Sequence, residues 1–301
     1  MISLRQIRYV LALEKTLHFK KAADACAISQ SALSTALAEM EKQLGFQVFE
    51  RDNRKVLVTP LGREVLDRAR KIKLEVDDLQ RLADSHMSPL SSPMTIGLIP
   101  TIAPYLLPHI LPSLEADYPK FDLKVAELQS AELVEQVRNG DIDAGILALP
   151  YDTVGLLSFS FWRENFHWIT HADDNSVSGG RIQADQIDSS HLMLLAEGHC
   201  LKDHALAVCH LAGSPALGVS ATSLATLVQL VAGRMGSTLV PDMALASLVD
   251  SNPALKRLPL AEPGPHREIA FVIRLTYPGI CNIELLKTMF ARELKKTAGN
   301  S

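Results

Sequence analysis

No run of about 18 uncharged apolar residues occurs in the 301-residue sequence, so a membrane-spanning helix is excluded by length and composition. The chain opens Met-Ile-Ser-Leu-Arg-Gln, without a basic stretch followed by an apolar one. A cytoplasmic protein with no membrane partner is the expectation. Cysteine is scarce: four in 301 residues, without a dense framework, argue against structural disulfides and for thiols kept reduced until something oxidises them. No compact Cys-x2-Cys pair is present, which disfavours zinc, and neither a metal nor any other cofactor is expected. Cys26 and Cys281 read as buried small hydrophobes.

The other two cysteines, Cys200 and Cys209, stand in Glu197-Gly-His-Cys-Leu-Lys-Asp-His-Ala-Leu-Ala-Val-Cys209. If the stretch between them is helical, nine steps of about 1.5 Å separate their Cα atoms by roughly 13 Å. A disulfide tolerates about half of that, so the pair can bond only if the local structure rearranges. His199, Lys202 and His204 are placed to supply positive charge favouring a reactive thiolate at Cys200. That is the logic of a redox switch. His199, Cys200, His204, Cys209 and His210 also invite a metal-site reading, but their spacing is irregular.

With 47% hydrophobic residues, the chain can bury one large core or two ordinary ones, and at least two domains are expected. Its net charge of −4 conceals an asymmetry: residues 1–73 hold 14 Lys+Arg against 8 Asp+Glu, leaving 16 against 26 for the remainder. The basic end suits phosphate and the acidic body is repelled by it. Within that end, Leu4, Ile7 and Leu11, then Phe19, Ala22, Ala23 and Cys26, recur at helical spacing. Ala27-Ile28-Ser29 is a turn. A third helix turns Leu33, Leu37, Met40 and Leu44 inward, with Ser29 as N-cap. Its other face, Gln30, Ser31, Ser34, Thr35 and Ala38, has small or hydrogen-bonding side chains and almost no charge, which suits close approach to a base edge. Two helices on a tight turn with such a face describe a helix-turn-helix. After Gly45, two alternating runs flank Asp52-Asn53-Arg54 like a wing, with Arg51, Arg54 and Lys55 available to phosphate.

From Thr59-Pro60 a helix carries Val65, Ala69, Ile72, Val76, Leu79 and Ala83 at spacings of 4, 3, 4, 3 and 4. That heptad seam is too long for the small domain it leaves, so a second copy is its expected partner, placing two recognition helices on a pseudo-palindromic duplex. Ser88-Pro-Leu-Ser-Ser-Pro93 is a linker by composition. Beyond it, Thr95 to Ile99, Leu123 to Leu128, Ile142 to Leu149, Leu192 to Ala196, Ser237 to Val240 and Ile269 to Leu275 read as strands, with helices between most of them. This alternation predicts an α/β body with largely parallel sheets.

Phe19-Lys-Lys-Ala-Ala-Asp24, Ser29-Gln-Ser-Ala-Leu-Ser34, Glu39 to Gly45, Phe49-Glu-Arg51 and Thr59-Pro-Leu-Gly62 together resemble the DNA-binding domain of the LysR-type transcriptional regulators. Many members carry Pro where this chain has Ser31. The resemblance implies an α/β protein with a winged helix-turn-helix over 1–59 and a linker or dimerisation helix over 60–87. It further implies a regulatory domain over 88–301 like a periplasmic binding protein, with one subdomain from 88–163 and 267–301 and another from 164–266, crossed near Arg163 and His266.

Gly97 to His109 and Glu197 to Asp203, with Cys209, resemble the peroxide-sensing OxyR branch of that family. In that branch the cysteine matching Cys200 is oxidised by hydrogen peroxide to a sulfenic acid, and the one matching Cys209 resolves it to a disulfide. Thr101, Ser130, His199, Asp203 and Arg267 match positions that surround the sulfur and hold peroxide. The implied function is that of a homodimeric or homotetrameric regulator, not an enzyme, which binds double-stranded DNA and works with RNA polymerase on oxidative-stress genes. Ala225, Val228, Arg234 and Met235 depart from the branch's pattern, the first two where polar side chains often stand on a helix expected at a dimer interface. The competing readings are a LysR-type regulator of a small organic effector, with incidental cysteines, and a thiol peroxidase with an attached DNA-binding domain.

Overall fold

The computed structural model describes residues 1–52, 55–85, 89–175, 179–209 and 221–298. It forms two compact units, Met1–Asp84 and Ser85–Ser301.

In the first unit, α1 (Leu4–Thr16), α2 (Phe19–Ala25) and α3 (Gln30–Leu44) surround one core. Ser3 and Gln6 close a capping box at the start of α1. The buried face of α1 is Ile7, Val10 and Leu13, whereas Leu4 is exposed and Leu11 half-buried. The expected stripe is therefore rotated, because α1 packs on both α2 and α3. On α3 the reading holds: Leu33, Leu37 and Met40 are buried, the Ser29 hydroxyl accepts from the Ala32 N–H, and Gly45 ends the helix at φ +79°. Strands β1 (Phe49–Asp52) and β2 (Lys55–Val58) pair antiparallel as the wing. Helix α4 (Pro60–Ser85) follows, and a Cβ at Gly62 would collide with the Val48 carbonyl, so the Thr-Pro-Leu-Gly run needs its glycine there. Leu66 and Ala69 enter the core while Ile72 and Leu79 stay exposed.

The second unit contains β3 (Met94–Leu98), α5 (Ala103–Asp117), β4 (Leu123–Glu127), α6 (Ser130–Asn139), β5 (Ala144–Leu149), β6 (Leu156–Glu164) and β7 (Phe166–His171). There follow α7 (Cys200–Val208), α8 (Leu224–Ala232), β8 (Thr238–Pro241), α9 (Asp242–Leu248), β9 (Leu255–Pro259), β10 (Arg267–Arg274) and α10 (Ile280–Ala298). One sheet has the order β4-β3-β5-β10-β6 and the other β8-β7-β9, and each backs its own hydrophobic core. Largely parallel sheets are not what forms. Only β3 with β4 and β5 runs parallel, because β6 leaves the first sheet at Glu164 and β10 re-enters it at the same end, pairing Arg267 with Glu164 in antiparallel register. The second sheet is antiparallel throughout.

Three further expectations are corrected. Leu192 to Ala196 forms no strand but two single parallel bridges, Leu192 with Ser237 and Leu195 with Ala221; its apolar side chains are buried in the second core without a ladder. Within the Ser88–Pro93 stretch, Leu90 is buried in the first core and its N–H donates to Asn282 Oδ1 at 3.1 Å, so that part is docked rather than free. Cys281 is exposed, not a buried hydrophobe, because Ile283 and Leu286 take the inward positions of α10.

Candidate functional site

The segment before Cys200 is shaped by Gly198, whose φ is +92° and where a Cβ would strike the Gln129 side chain. Only glycine takes that conformation freely, and it lays Glu197 to His199 against the start of α6. Gln129 is the N-cap of α6 and Ser130 its first residue. His199 is the N-cap residue of α7, and Cys200 begins the helix.

Cys200 is buried in the first core and Cys209, just past the last turn of α7, in the second. The stretch between them is helical, and both thiols are free. Burial pushes the Cys200 thiol above its ordinary range, opposed by the Ser130 hydroxyl, the positive charge of Arg267 and the Ala148 backbone. The Ser130 hydroxyl lies near enough to act on the sulfur yet makes no well-formed hydrogen bond. Cys209 is pushed up to about 11, chiefly by burial and then by Glu262.

The flanking cations expected to activate Cys200 do not do so. Burial lowers the pKa of both His199 and His204, favouring neutral imidazoles, and Lys202 is paired with Glu197. The cation whose charge lowers the Cys200 pKa, against the larger effect of burial, is Arg267, from the far end of the sequence. Its guanidinium is wholly buried; Nη1 donates to Thr101 Oγ1 at 3.3 Å, Nη2 to the Thr101 carbonyl at 3.2 Å, and Nε to Glu164 Oε1 at 2.7 Å. Glu164 also accepts the Met243 N–H at 2.8 Å. Burial raises the Glu164 carboxyl pKa, and Arg267 with the Met243 N–H pulls it down.

Thr101, Ser130, His199 and Arg267 are thus all buried, with Thr101 bonded to Arg267 and the Ser130 hydroxyl beside Cys200. Among the described residues His199 Nε2 has no hydrogen-bond partner. Asp203 is exposed, one turn along α7, where its charge raises the Cys200 pKa. Sequence reasoning missed Glu164, Ala148 and the half-buried Tyr151, which senses Cys200 electrostatically. A signal for Glu164 existed: Arg163-Glu164 and Arg267-Glu268 have complementary order for antiparallel strands, and Arg163 indeed pairs with Glu268 at 3.0 Å while Glu164 pairs with Arg267. Among the described residues no group of three or more His, Cys, Asp or Glu side chains is placed to hold a metal; His210 lies outside them.

On the face of α3 away from the core, Gln30, Ser31, Thr35 and Ala38 are exposed and Ser34 half-buried. Ser31 Oγ is 3.0 Å from Ser29 Oγ. Lys55 is exposed on β2, whereas the side chains of Arg51 and Arg54 lie outside the described residues. Of the four departures, Val228 is fully buried in the second core, so packing rather than an interface explains its apolar side chain. Ala225 and Met235 are exposed, and Arg234, at φ +65°, pairs with Asp173. No described helix is long and apolar enough to cross a membrane.

Residues 4–63 match the helix-turn-helix model of the bacterial lysR regulatory family and residues 88–279 its LysR substrate-binding domain. The chain is 38% identical to the HTH-type transcriptional regulator EstR of Acinetobacter baylyi over 92% of both chains. It is 35% identical to the DNA-binding transcriptional dual regulator OxyR of Escherichia coli, over 91% of this chain and 90% of that one. A full-length OxyR variant of Pseudomonas aeruginosa superposes with a TM-score of 0.80 at 30% identity, over 96% of this chain and 95% of that one. A hydrogen peroxide-bound mutant of Corynebacterium glutamicum OxyR gives 0.68 at 31%, over 98% and 94%. The chain therefore belongs to the LysR family of helix-turn-helix transcriptional regulators, and stands with its OxyR-type members rather than with any enzyme.

Proposed function

We propose that this protein is a cytoplasmic, DNA-binding regulator that senses hydrogen peroxide through Cys200 and Cys209. The observation that carries the reading is the placement of Cys200 in a water-poor site beside Ser130 and the Arg267–Thr101 pair, with a second thiol at the other end of the same helix. Peroxide cleavage needs a thiolate and donors to the departing hydroxide. The guanidinium of Arg267 and the hydroxyls of Thr101 and Ser130 are donors of that kind, with His199 alongside and Asp203 at the rim. Cys200 attacks one peroxide oxygen, giving sulfenic acid and hydroxide. Cys209 then displaces water from it to form the disulfide.

DNA contact falls to Gln30, Ser31, Ser34 and Thr35 in the major groove, with Arg51, Arg54 and Lys55 on phosphate. The exposed Ile72 and Leu79 on α4 support a homodimer or homotetramer on a pseudo-palindromic operator, and RNA polymerase is the further partner.

Similarity to EstR, whose name mentions no peroxide, makes an effector-binding regulator the competing reading. Counting free thiols before and after one equivalent of peroxide tests the proposal. A sensor loses two thiols stoichiometrically; a chain with incidental cysteines loses none selectively, and a peroxidase turns over with added reductant.

A further inference from the structure

His204 lies at the middle of α7, one turn beyond Cys200, and is almost wholly buried. Its Nε2 is 2.9 Å from the carbonyl of Pro150, the residue that follows β5. The carbonyl can only accept, so Nε2 carries the proton. Nδ1 is buried with no hydrogen-bond partner among the described residues, and burial favours the neutral ring. Leu201 and Ala205, its neighbours on α7, belong to the second core, whereas Cys200 and the strand leading to Pro150 belong to the first. The bond therefore runs from a helix seated in one core to the edge of the other. Among the described residues, side chains of the interior of α7 are tied in one other place, by Lys202 to Glu197 just before the helix itself.

We infer that His204 is a latch that holds α7 helical and docked in the reduced state, and that its bond to Pro150 must break before Cys209 can reach Cys200. This rests on the peroxide reading given above. A helix keeps the two Cα atoms roughly 13 Å apart, and a disulfide needs less than 7 Å between them. Closing that gap requires the middle of α7 to leave its seat. The step affected is the second: Cys200–SOH and Cys209–SH become the disulfide with release of water, the oxidant having been consumed when the sulfenic acid formed. Peroxide attack itself uses groups around Cys200, and among the described residues His204 is hydrogen-bonded to the Pro150 carbonyl and to none of them.

The test uses full-length reduced protein and stoichiometric hydrogen peroxide. The sulfenic acid is trapped with dimedone and the disulfide quantified by mass after alkylation, at intervals. His204→Leu and His204→Ala both remove the donor, which guards against misfolding of either, and His204→Gln keeps a donor at similar reach. Expected are an unchanged rate of Cys200 oxidation, a disulfide step faster by about 5- to 10-fold in the two removals, as loss of one net hydrogen bond allows, and return toward wild type with Gln. Unchanged or slower disulfide formation in both removals, or a Gln variant as fast as them, overturns the latch while leaving the sensor intact. Absence of any Cys200–Cys209 disulfide in the wild type overturns the peroxide reading and the latch together.

Discussion

Cys200 and Cys209 sit at opposite ends of one nine-residue helix and are buried in two different hydrophobic cores. Each thiol is accordingly packed by a separate half of the regulatory unit, and a bond between them must move at least one out of its core. The variants should separate the roles. Cys200→Ser is expected to abolish the peroxide response and leave DNA binding by the reduced form intact. Cys209→Ser is expected to stop at a dimedone-trappable sulfenic acid. Equal reactivity of the two variants toward peroxide would reverse or remove the assignment.

Stability should form a plateau between two titrating limbs. His199 and His204 have lowered pKa values in the fold, so the unfolded chain binds more protons below about pH 6.5 and stability falls as pH falls through that region. Cys200 and Cys209 have raised ones, the latter at about 11. The unfolded thiols then ionise first, and stability falls as pH rises from about 8.5 toward 11. Urea midpoints measured against pH should show both limbs, with Cys209→Ala flattening the alkaline one and leaving the acid one.

The Arg267–Glu164 pair is fully buried, so removing one partner leaves an uncompensated charge. Arg267→Met is expected to destabilise by about 3–5 kcal/mol, and Arg267→Met with Glu164→Gln by much less. Loss of the guanidinium should also raise the Cys200 pKa further, read as an alkaline shift in the pH profile of its alkylation. Matching urea midpoints for the single and double variants would show that burial is not what makes the pair costly to break.

Gln30→Ala should mainly erode discrimination between operator and random duplex. Lys55→Glu should weaken binding to both and reduce its salt dependence, since phosphate contacts release counterions regardless of sequence. Equal losses on both duplexes for the Gln30 variant would place that side chain off the base edges.

What the sequence disclosed was what local pattern can carry. The α3 stripe, the Gly45 stop and the wing all follow from spacing and capping within a few residues. Pairings across the chain were not disclosed. Arg267 meets Glu164 and Thr101, 103 and 166 residues away, and nothing local distinguishes it from a solvated charge. Positive charge at His199, Lys202 and His204 is opposed by burial, which lowers the pKa of the two imidazoles, and by Glu197, which pairs with the lysine. Direction was also hidden: β10 and β5 are both apolar runs, and only the double crossing at Glu164 and Arg267 makes them antiparallel. Val228 was read as a surface departure because helical spacing alone does not say which flank of α8 the second core covers.

A bond between the two thiols requires the helix between them to refold. Amide hydrogen exchange on reduced and peroxide-treated protein, followed over Leu201 to Val208, tests it most directly. The account predicts strong protection in the reduced state, where these residues are helical, and its loss there more than elsewhere once the disulfide is confirmed by mass. Identical protection over Leu201 to Val208 in the two states, with the disulfide present, would contradict it.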